Sequence, residues 1–189
     1  VLLEDLGASS YLARLNGGGD PQALYADALQ ALQDIALQGL TAARELPPYD
    51  RAALEREMAL MPEWFCERHL HLALDAADRG VLAATFALLA REALAQPQVY
   101  VHRDYHSRNL MWLPERNPGI LDFQDALAGP LTYDLVSLLK DCYIDWPRAR
   151  VERWVADYRV RLAAHGAPVG ADPRRFLRWF DLIALPRHI

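Results

Sequence analysis

The chain has 189 residues, of which 52% are hydrophobic and 24% charged, a balance typical of globular proteins and too apolar for a disordered one. No apolar stretch reaches the roughly 20 residues that span a bilayer, and the net charge of −5 argues against a nucleic-acid-binding surface. We therefore expect a cytoplasmic protein that binds neither membranes nor nucleic acids. Cys66 and Cys142 match no metal or redox spacing, which indicates reduced thiols.

The first half of the chain carries helical patterns. Asp20 followed by Pro21 is typical of a helix start, with an N-cap before proline at the first helical position, and apolar residues follow at helical spacing. Asp50 predicts the cap of a second helix, which Pro62 should kink or divide. A third helix is predicted over residues 79–95.

Short runs of β-forming residues interrupt this helical pattern in the middle of the chain. They predict strands over residues 99–102, 110–113 and 119–123, with a proline-bounded turn between the last two. Helices are predicted to resume over residues 133–143 and 147–165 and from Asp172-Pro173 onward. The sequence therefore predicts a mainly α protein of the α+β class, with a small β-hairpin element.

The segment VYVHRDYHSRNLMWL places Asp104 and Asn109 in a loop between two of these strands, and the next strand delivers Asp122 at its end. In that geometry the three side chains can converge on one point. Phosphoryl transfer requires such a set, because one carboxylate orients a hydroxyl and accepts its proton, while an amide and a second carboxylate hold Mg²⁺ against ATP. The order His-Arg-Asp, four residues, Asn, then a hairpin and Asp-Phe predicts a kinase.

HRDYHSRN followed by ILDFQDALAGPLTYDLVSLLKD resembles the catalytic half of the aminoglycoside phosphotransferase and choline kinase-like family, which shares the protein-kinase fold. The resemblance implies that Asp104 is the base, that Asn109 and Asp122 bind Mg²⁺, and that Asp134 braces the loop. Gln124 stands where protein kinases have glycine, which favours the small-molecule branch and an alcohol group as acceptor. VHRDYHSRNLM, LDFQDA and MPEWFCERHL resemble the bacterial kinases that phosphorylate the anomeric hydroxyl of N-acetylmuramate and N-acetylglucosamine in cell-wall recycling.

The start of the chain, VLLEDLG, resembles the hinge between the two lobes of a kinase, which implies that backbone groups of Glu4, Asp5 and Leu6 bind adenine. The β lobe that should precede this hinge, with its lysine, has no counterpart, and Lys140 lies after Asp122 on a predicted helix. We therefore expect a hinge over residues 1–7 and a helical C-terminal lobe over 8–189, with a catalytic loop at 102–109 and a metal loop at 122–125. Without the N-terminal β lobe of the same polypeptide, the chain alone is expected to be inactive.

Other polar residues are candidates for supporting roles. His102 is expected to hold the loop by hydrogen bonding, and His106 either supports the loop or faces the substrate. Asp125 either assists magnesium or is an exposed carboxylate. The candidates for sugar contact, with a solvated helix face as the alternative, are Glu63, Trp64 and Arg68.

The same residues allow three alternatives to a sugar kinase. His102, Asp104 and His106 alternate, so on an extended strand they would point the same way and with Asp122 bind the zinc of a hydrolase, although Tyr105 favours a loop. Another alternative is a non-catalytic, degenerate kinase lobe, against which the intact catalytic residues argue. A kinase acting on an aminoglycoside, choline or ethanolamine would keep the same catalytic residues and change only the acceptor.

Overall fold

The computed structural model describes residues 4–188. Its α-helices are α1 (Tyr11–Asn16), α2 (Pro21–Gln38), α3 (Leu40–Ala43), α4 (Arg51–Met58), α5 (Ala76–Leu94), α6 (Tyr133–Leu139), α7 (Arg148–Ala164) and α8 (Pro173–His188). A π-helical segment covers Met61–His69, and the strands are β1 (Gln98–Val101), β2 (Leu110–Met111), β3 (Gly119–Ile120) and β4 (Leu127–Pro130). The predicted mainly helical α+β class is confirmed.

The predicted helix starts are confirmed by their caps. The side chain of Asp20 accepts a hydrogen bond from Gln22 N at 2.9 Å, and that of Asp50 accepts one from Ala53 N at 2.8 Å. Each bond satisfies one of the backbone N–H groups that a helix start leaves unpaired. Helix α5 begins earlier than predicted, because Asp75 and Asp78 form a reciprocal capping box there.

The strands form two separate antiparallel pairs, β1 with β4 and β2 with β3. Strand β4 was not predicted, because LAGP contains none of the β-branched or aromatic residues that mark strands. The predicted third strand ends early, at Ile120, because Asp122 takes a left-handed conformation with φ 68°. No helix within residues 4–188 is long and apolar enough to cross a lipid bilayer.

Helix α6 lies at the centre of the core, and every residue from Tyr133 to Leu139 is buried. It packs mainly against α8, and behind it Tyr25 of α2 stacks on Trp154 of α7 with ring centroids 4.7 Å apart. The loop between β1 and β2 lies on the polar side of α6. A fully buried short helix therefore forms the base on which that loop rests.

Shortening a side chain of α6 should therefore destabilise the whole domain. Leu135 is fully buried, so Leu135→Ala should lower the free energy of unfolding by about 2–5 kcal/mol. Leu185 of α8 is 51% exposed, so Leu185→Ala should change it by about 0.5 kcal/mol or less. Urea unfolding followed by circular dichroism measures both, and equal losses in the two variants would contradict a core centred on α6.

Candidate active site

Tyr105 fixes the predicted catalytic loop, residues 102–109, to the body of the protein. Its ring is completely buried, and its hydroxyl donates a hydrogen bond to the carbonyl of Ala28 in α2 at 2.9 Å. Strand β1 ends at Val101, so residues 102–106 form a loop rather than the extended strand that the zinc alternative requires. Over residues 4–188 no group of three or more His, Cys, Asp or Glu side chains has the arrangement of a metal site, which leaves that alternative without geometric support.

The backbone of this loop is strained at Arg103, which has φ 78° although it is not glycine. A left-handed conformation costs such a residue about 1–2 kcal/mol and needs support from its surroundings. Helix α6 supplies that support on both sides, because Arg103 N donates to Asp134 Oδ1 at 3.0 Å and Ser137 Oγ donates to Arg103 O at 3.1 Å. The next residue in the chain is Asp104, so this support also positions the predicted base.

Asp134 is almost completely buried, and its other oxygen accepts a hydrogen bond from His102 N at 2.6 Å. Burial raises the pKa of the Asp134 carboxyl from 3.8 to about 7, and the two backbone N–H groups oppose that rise by favouring the charged form. These contacts fit the loop-bracing role that the resemblance implied. They also make the stability of the loop dependent on pH.

The side chain of Asp104 lies at the surface of the site, 41% exposed. Its Oδ1 accepts a hydrogen bond from Arg187 Nη2 at 3.3 Å, and its main-chain carbonyl accepts hydrogen bonds from His106 N and Asn109 Nδ2, both at 3.0 Å. The carboxylate therefore faces solvent beside a guanidinium, while its backbone is fixed by the loop. This placement leaves it accessible to a hydroxyl group.

Asn109 and Asp122 lie side by side, as the sequence predicts. Leu121 N donates to the carbonyl of Asn109 at 2.9 Å, and Asn109 Nδ2 lies 3.4 Å from Asp122 Oδ2. Because the amide nitrogen of Asn109 is engaged by Asp104 and Asp122, its Oδ1 is the atom left for a ligand. An amide oxygen beside an exposed carboxylate is a donor set of the kind that Mg²⁺ prefers. Asn109 and Asp122 therefore fit the predicted pair of magnesium ligands.

The predicted hinge lies against the β2–β3 hairpin. Leu6 packs close to Gly119 in β3, Glu4 forms an exposed ion pair with Arg116 at 3.5 Å, and the Asp5 side chain accepts a hydrogen bond from Gly7 N at 2.8 Å. The residues that follow continue this contact, because Trp112 N donates to Ser9 O at 2.8 Å. Residues 1–3 of the predicted hinge lie outside the described part of the chain.

The side chains of the predicted supporting residues His102, His106 and Asp125 form no hydrogen bond to the loop among those described. The ring of His102 is buried, which lowers its pKa, and neither ring nitrogen has a hydrogen-bond partner within residues 4–188, so the loop is held through the backbone N–H of His102. The His106 ring packs edge-on against Tyr143 with centroids 5.7 Å apart. Asp125 is exposed, three positions after Asp122 in the sequence, and its binding role remains a prediction.

The residues predicted to contact the sugar lie on the π-helical segment and contact each other. Arg68 donates to Glu63 at 2.8 Å and covers the ring of Trp64, with its Cζ 3.9 Å from the ring centroid. Trp64 is 52% exposed. Short π-helical turns are frequent at functional sites. The hydrogen bonds described for residues 4–188 do not connect these three residues to Asp104.

Several residues of the site were not predicted. Asp141 accepts a hydrogen bond from Ser107 N at 2.9 Å, and Ser137 lies three positions after Asp134. The helical spacing of these polar residues in a mainly apolar segment is the sequence signal that could have predicted their contacts with the loop. Glu57 of α4 accepts a hydrogen bond from Arg103 Nη2 at 3.2 Å and another from the Tyr49 hydroxyl. These contacts join residues that are far apart in the sequence, so no local sequence pattern predicts them.

Residues 1–178 match the phosphotransferase enzyme family. The chain belongs to this family. It is 46% identical over its full length to the N-acetylmuramate/N-acetylglucosamine kinase of Pseudomonas putida and 42% identical to that of Neisseria meningitidis. It covers 55% and 57% of these two proteins, so this phosphotransferase chain spans about half the length of the curated relatives it matches.

Solved structures confirm the kinase-like fold of the family. The ethanolamine kinase of Plasmodium vivax superposes with a TM-score of 0.60 at 20% identity, covering 98% of this chain and 55% of that one. An aminoglycoside-3'-phosphotransferase of type VIII gives a TM-score of 0.54 at 19% identity, covering 95% and 66%. At these identities the likeness concerns the fold of the phosphotransferase chain and not its acceptor.

The raised pKa of Asp134 predicts how its contribution to stability depends on pH. In the unfolded chain this carboxyl ionises at its ordinary pKa of 3.8, whereas in the folded protein it keeps its proton up to about pH 7. Because the folded state binds the proton more tightly, the contribution of Asp134 to the free energy of unfolding falls as the pH rises between these values. Its slope reaches at most about 1.4 kcal/mol per pH unit.

Urea unfolding of the wild type and of Asp134→Asn between about pH 4 and about pH 7 measures this contribution. We expect the stability advantage of the wild type over Asp134→Asn to shrink steadily across that range. Asp157 of α7 is exposed, so Asp157→Asn is a matched control in which no such trend is expected. A difference between the wild type and Asp134→Asn that grows with pH would contradict the raised pKa.

Proposed function

We propose that the protein is an ATP- and Mg²⁺-dependent kinase that phosphorylates the anomeric hydroxyl of N-acetylmuramate or N-acetylglucosamine. The observation that carries the proposal is the meeting of three residues at one amide. Asn109 Nδ2 lies 3.0 Å from the carbonyl of Asp104 and 3.4 Å from Asp122 Oδ2. The choice of sugar rests on the relatives that are 42% to 46% identical to the chain.

In this proposal Asn109 and Asp122 hold the nucleotide phosphates through a bound Mg²⁺. Asn109 through its amide oxygen and Asp122 through its carboxylate would bind Mg²⁺. When bound, Mg²⁺ neutralises the charge that the nucleotide phosphates carry during transfer. The bond between Leu121 N and the carbonyl of Asn109, 2.9 Å long, keeps the two ligand residues together on the hairpin.

Asp104 performs the proton transfer. Its exposed carboxylate accepts a hydrogen bond from the sugar hydroxyl and orients that oxygen toward the terminal phosphate of ATP. It takes the hydroxyl proton as the new P–O bond to the sugar forms and the bond between the terminal phosphate and ADP breaks. Most of the acceleration comes from placing the reacting groups in line, since phosphoryl transfer needs little help from a strong base. The support of Arg103 by α6 serves this placement.

The nucleotide is proposed to lie between this lobe and an N-terminal β lobe of the same polypeptide, in the cytoplasm where ATP is available. The proposal is supported by the length of the relatives, of which this chain covers 55% to 57%. It is also supported by the contact of Leu6 with Gly119. This contact brings the segment proposed to bind adenine next to the β2–β3 hairpin, which Asn109 and Asp122 flank.

The test is an acceptor panel with the natural full-length polypeptide. Mg-ATP is supplied with N-acetylmuramate, N-acetylglucosamine, choline, ethanolamine or an aminoglycoside, and new phosphate esters are located by ³¹P NMR. We expect a sugar 1-phosphate with the first two acceptors and none after removal of Mg²⁺ with a chelator. Asp104→Asn should lower kcat by at least about 10²-fold while ATP binding is retained.

Each other result has a distinct meaning. Phosphate transfer to an amino alcohol or an antibiotic, with no transfer to either sugar, would contradict the proposed acceptor. An Asp104→Asn variant with wild-type kcat would contradict the role of Asp104. Asp157→Asn is the matched control, because it makes the same chemical change at an exposed site on α7.

A further inference from the structure

Arg187, near the end of α8, shares the site with Asp104. Its Nε donates a hydrogen bond to Ser137 Oγ at 3.1 Å, and its Nη2 donates one to Asp104 Oδ1 at 3.3 Å. The Arg187 side chain is 24% exposed and that of Asp104 is 41% exposed, so a ligand can reach both. Ser137 thus fixes the guanidinium in position beside the proposed base.

The guanidinium of Arg187 has more N–H donors than its described hydrogen bonds use. Arginine carries five N–H groups in a rigid planar fork and accepts no hydrogen bonds. The hydrogen bonds described between residues 4 and 188 engage one N–H each of Nε and Nη2, which leaves three N–H groups for a ligand, two of them on Nη1. The site therefore offers a hydrogen-bond acceptor, Asp104, next to a fixed hydrogen-bond donor, Arg187.

We infer that Arg187 donates a hydrogen bond to the acetamido carbonyl of the sugar and thereby selects 2-acetamido sugars. The inference rests on the proposed function. In both proposed acceptors the acetamido group is attached to the ring carbon next to the anomeric carbon. A donor hydroxyl and an acceptor carbonyl are therefore neighbours on the sugar, as Asp104 and Arg187 are neighbours in the site.

The chemistry of the neighbouring groups favours this assignment over others. The lactyl carboxylate of N-acetylmuramate is attached one ring carbon further from the anomeric position, and N-acetylglucosamine lacks it. The 2-hydroxyl group of glucose is shorter than the acetamido group and reaches less far toward Arg187. The 2-ammonium group of glucosamine would be repelled by the guanidinium. Arg187 should thus discriminate against sugars without the acetamido carbonyl by about 10- to 100-fold, the range expected for one hydrogen bond to a charged group.

The test measures binding with unreactive analogues in the natural full-length polypeptide. The 1-deoxy analogues of N-acetylglucosamine and of glucose lack the reacting hydroxyl, so their inhibition constants do not depend on proton transfer to Asp104. Arg187→Met should weaken binding of the acetamido analogue by about 10- to 100-fold and leave that of the glucose analogue unchanged within about threefold. If this variant does not fold, Arg187→Lys, which loses the planar fork but keeps the charge, should change in the same direction.

The control is Arg178→Met. Arg178 lies on the same helix and also contacts a carboxylate, that of Glu92 at 3.4 Å, so its replacement should change neither inhibition constant. An unchanged constant for the acetamido analogue in the Arg187 variants would overturn the inference, as would equal weakening of both analogues. With the 1-deoxy analogue of N-acetylmuramate measured in the same way, a larger loss than with that of N-acetylglucosamine would assign Arg187 to the lactyl carboxylate instead and would overturn the inference. A wild type that phosphorylates neither sugar would contradict the proposed function and not this contact alone.

Discussion

The site depends on one buried carboxylate. Asp134 of α6 accepts hydrogen bonds from the backbone N–H groups of His102 and Arg103, at 2.6 and 3.0 Å. Without these bonds the left-handed backbone of Arg103 would keep only the support of Ser137, and two N–H groups would be left unpaired next to the core. The charged form of this carboxyl group is costly to bury, as its raised pKa indicates, and the two backbone N–H groups offset part of that cost.

The rest of the site follows from this fixed loop. Tyr105 anchors it to α2 from one side and Asp141 holds it from another, so that Asp104 and Asn109 leave the loop in fixed directions. The β2–β3 hairpin then brings Asp122 to Asn109. In the proposed phosphoryl transfer, which depends on alignment, this rigidity is the main contribution of the fold. Helix α6, buried along its whole length, supplies it.

Local signals in the sequence were sufficient for much of the fold and for the centre of the site. Asp20 marks its helix start by chemistry that involves only neighbouring residues, and the spacing of Asn109 after the His-Arg-Asp triplet predicts their meeting because the intervening loop is short. Strand β4 was missed because its pairing with β1, and not its composition, makes it a strand. Arg187 was missed for the same reason, since it reaches Asp104 from 83 positions away, and only the packing of α8 on α6 brings them together.

The most direct measurement is the single-turnover rate of phosphoryl transfer to N-acetylglucosamine by the Asp134→Asn variant of the natural full-length polypeptide, at saturating ATP and sugar. Asp134 lies behind the loop, so we predict that transfer slows by about 10²-fold, as expected for a misplaced catalytic group, while the affinity for ATP stays within about threefold of the wild type. Transfer at the wild-type rate by the folded variant would contradict the claim that the buried carboxyl group of α6 positions the proposed base, Asp104.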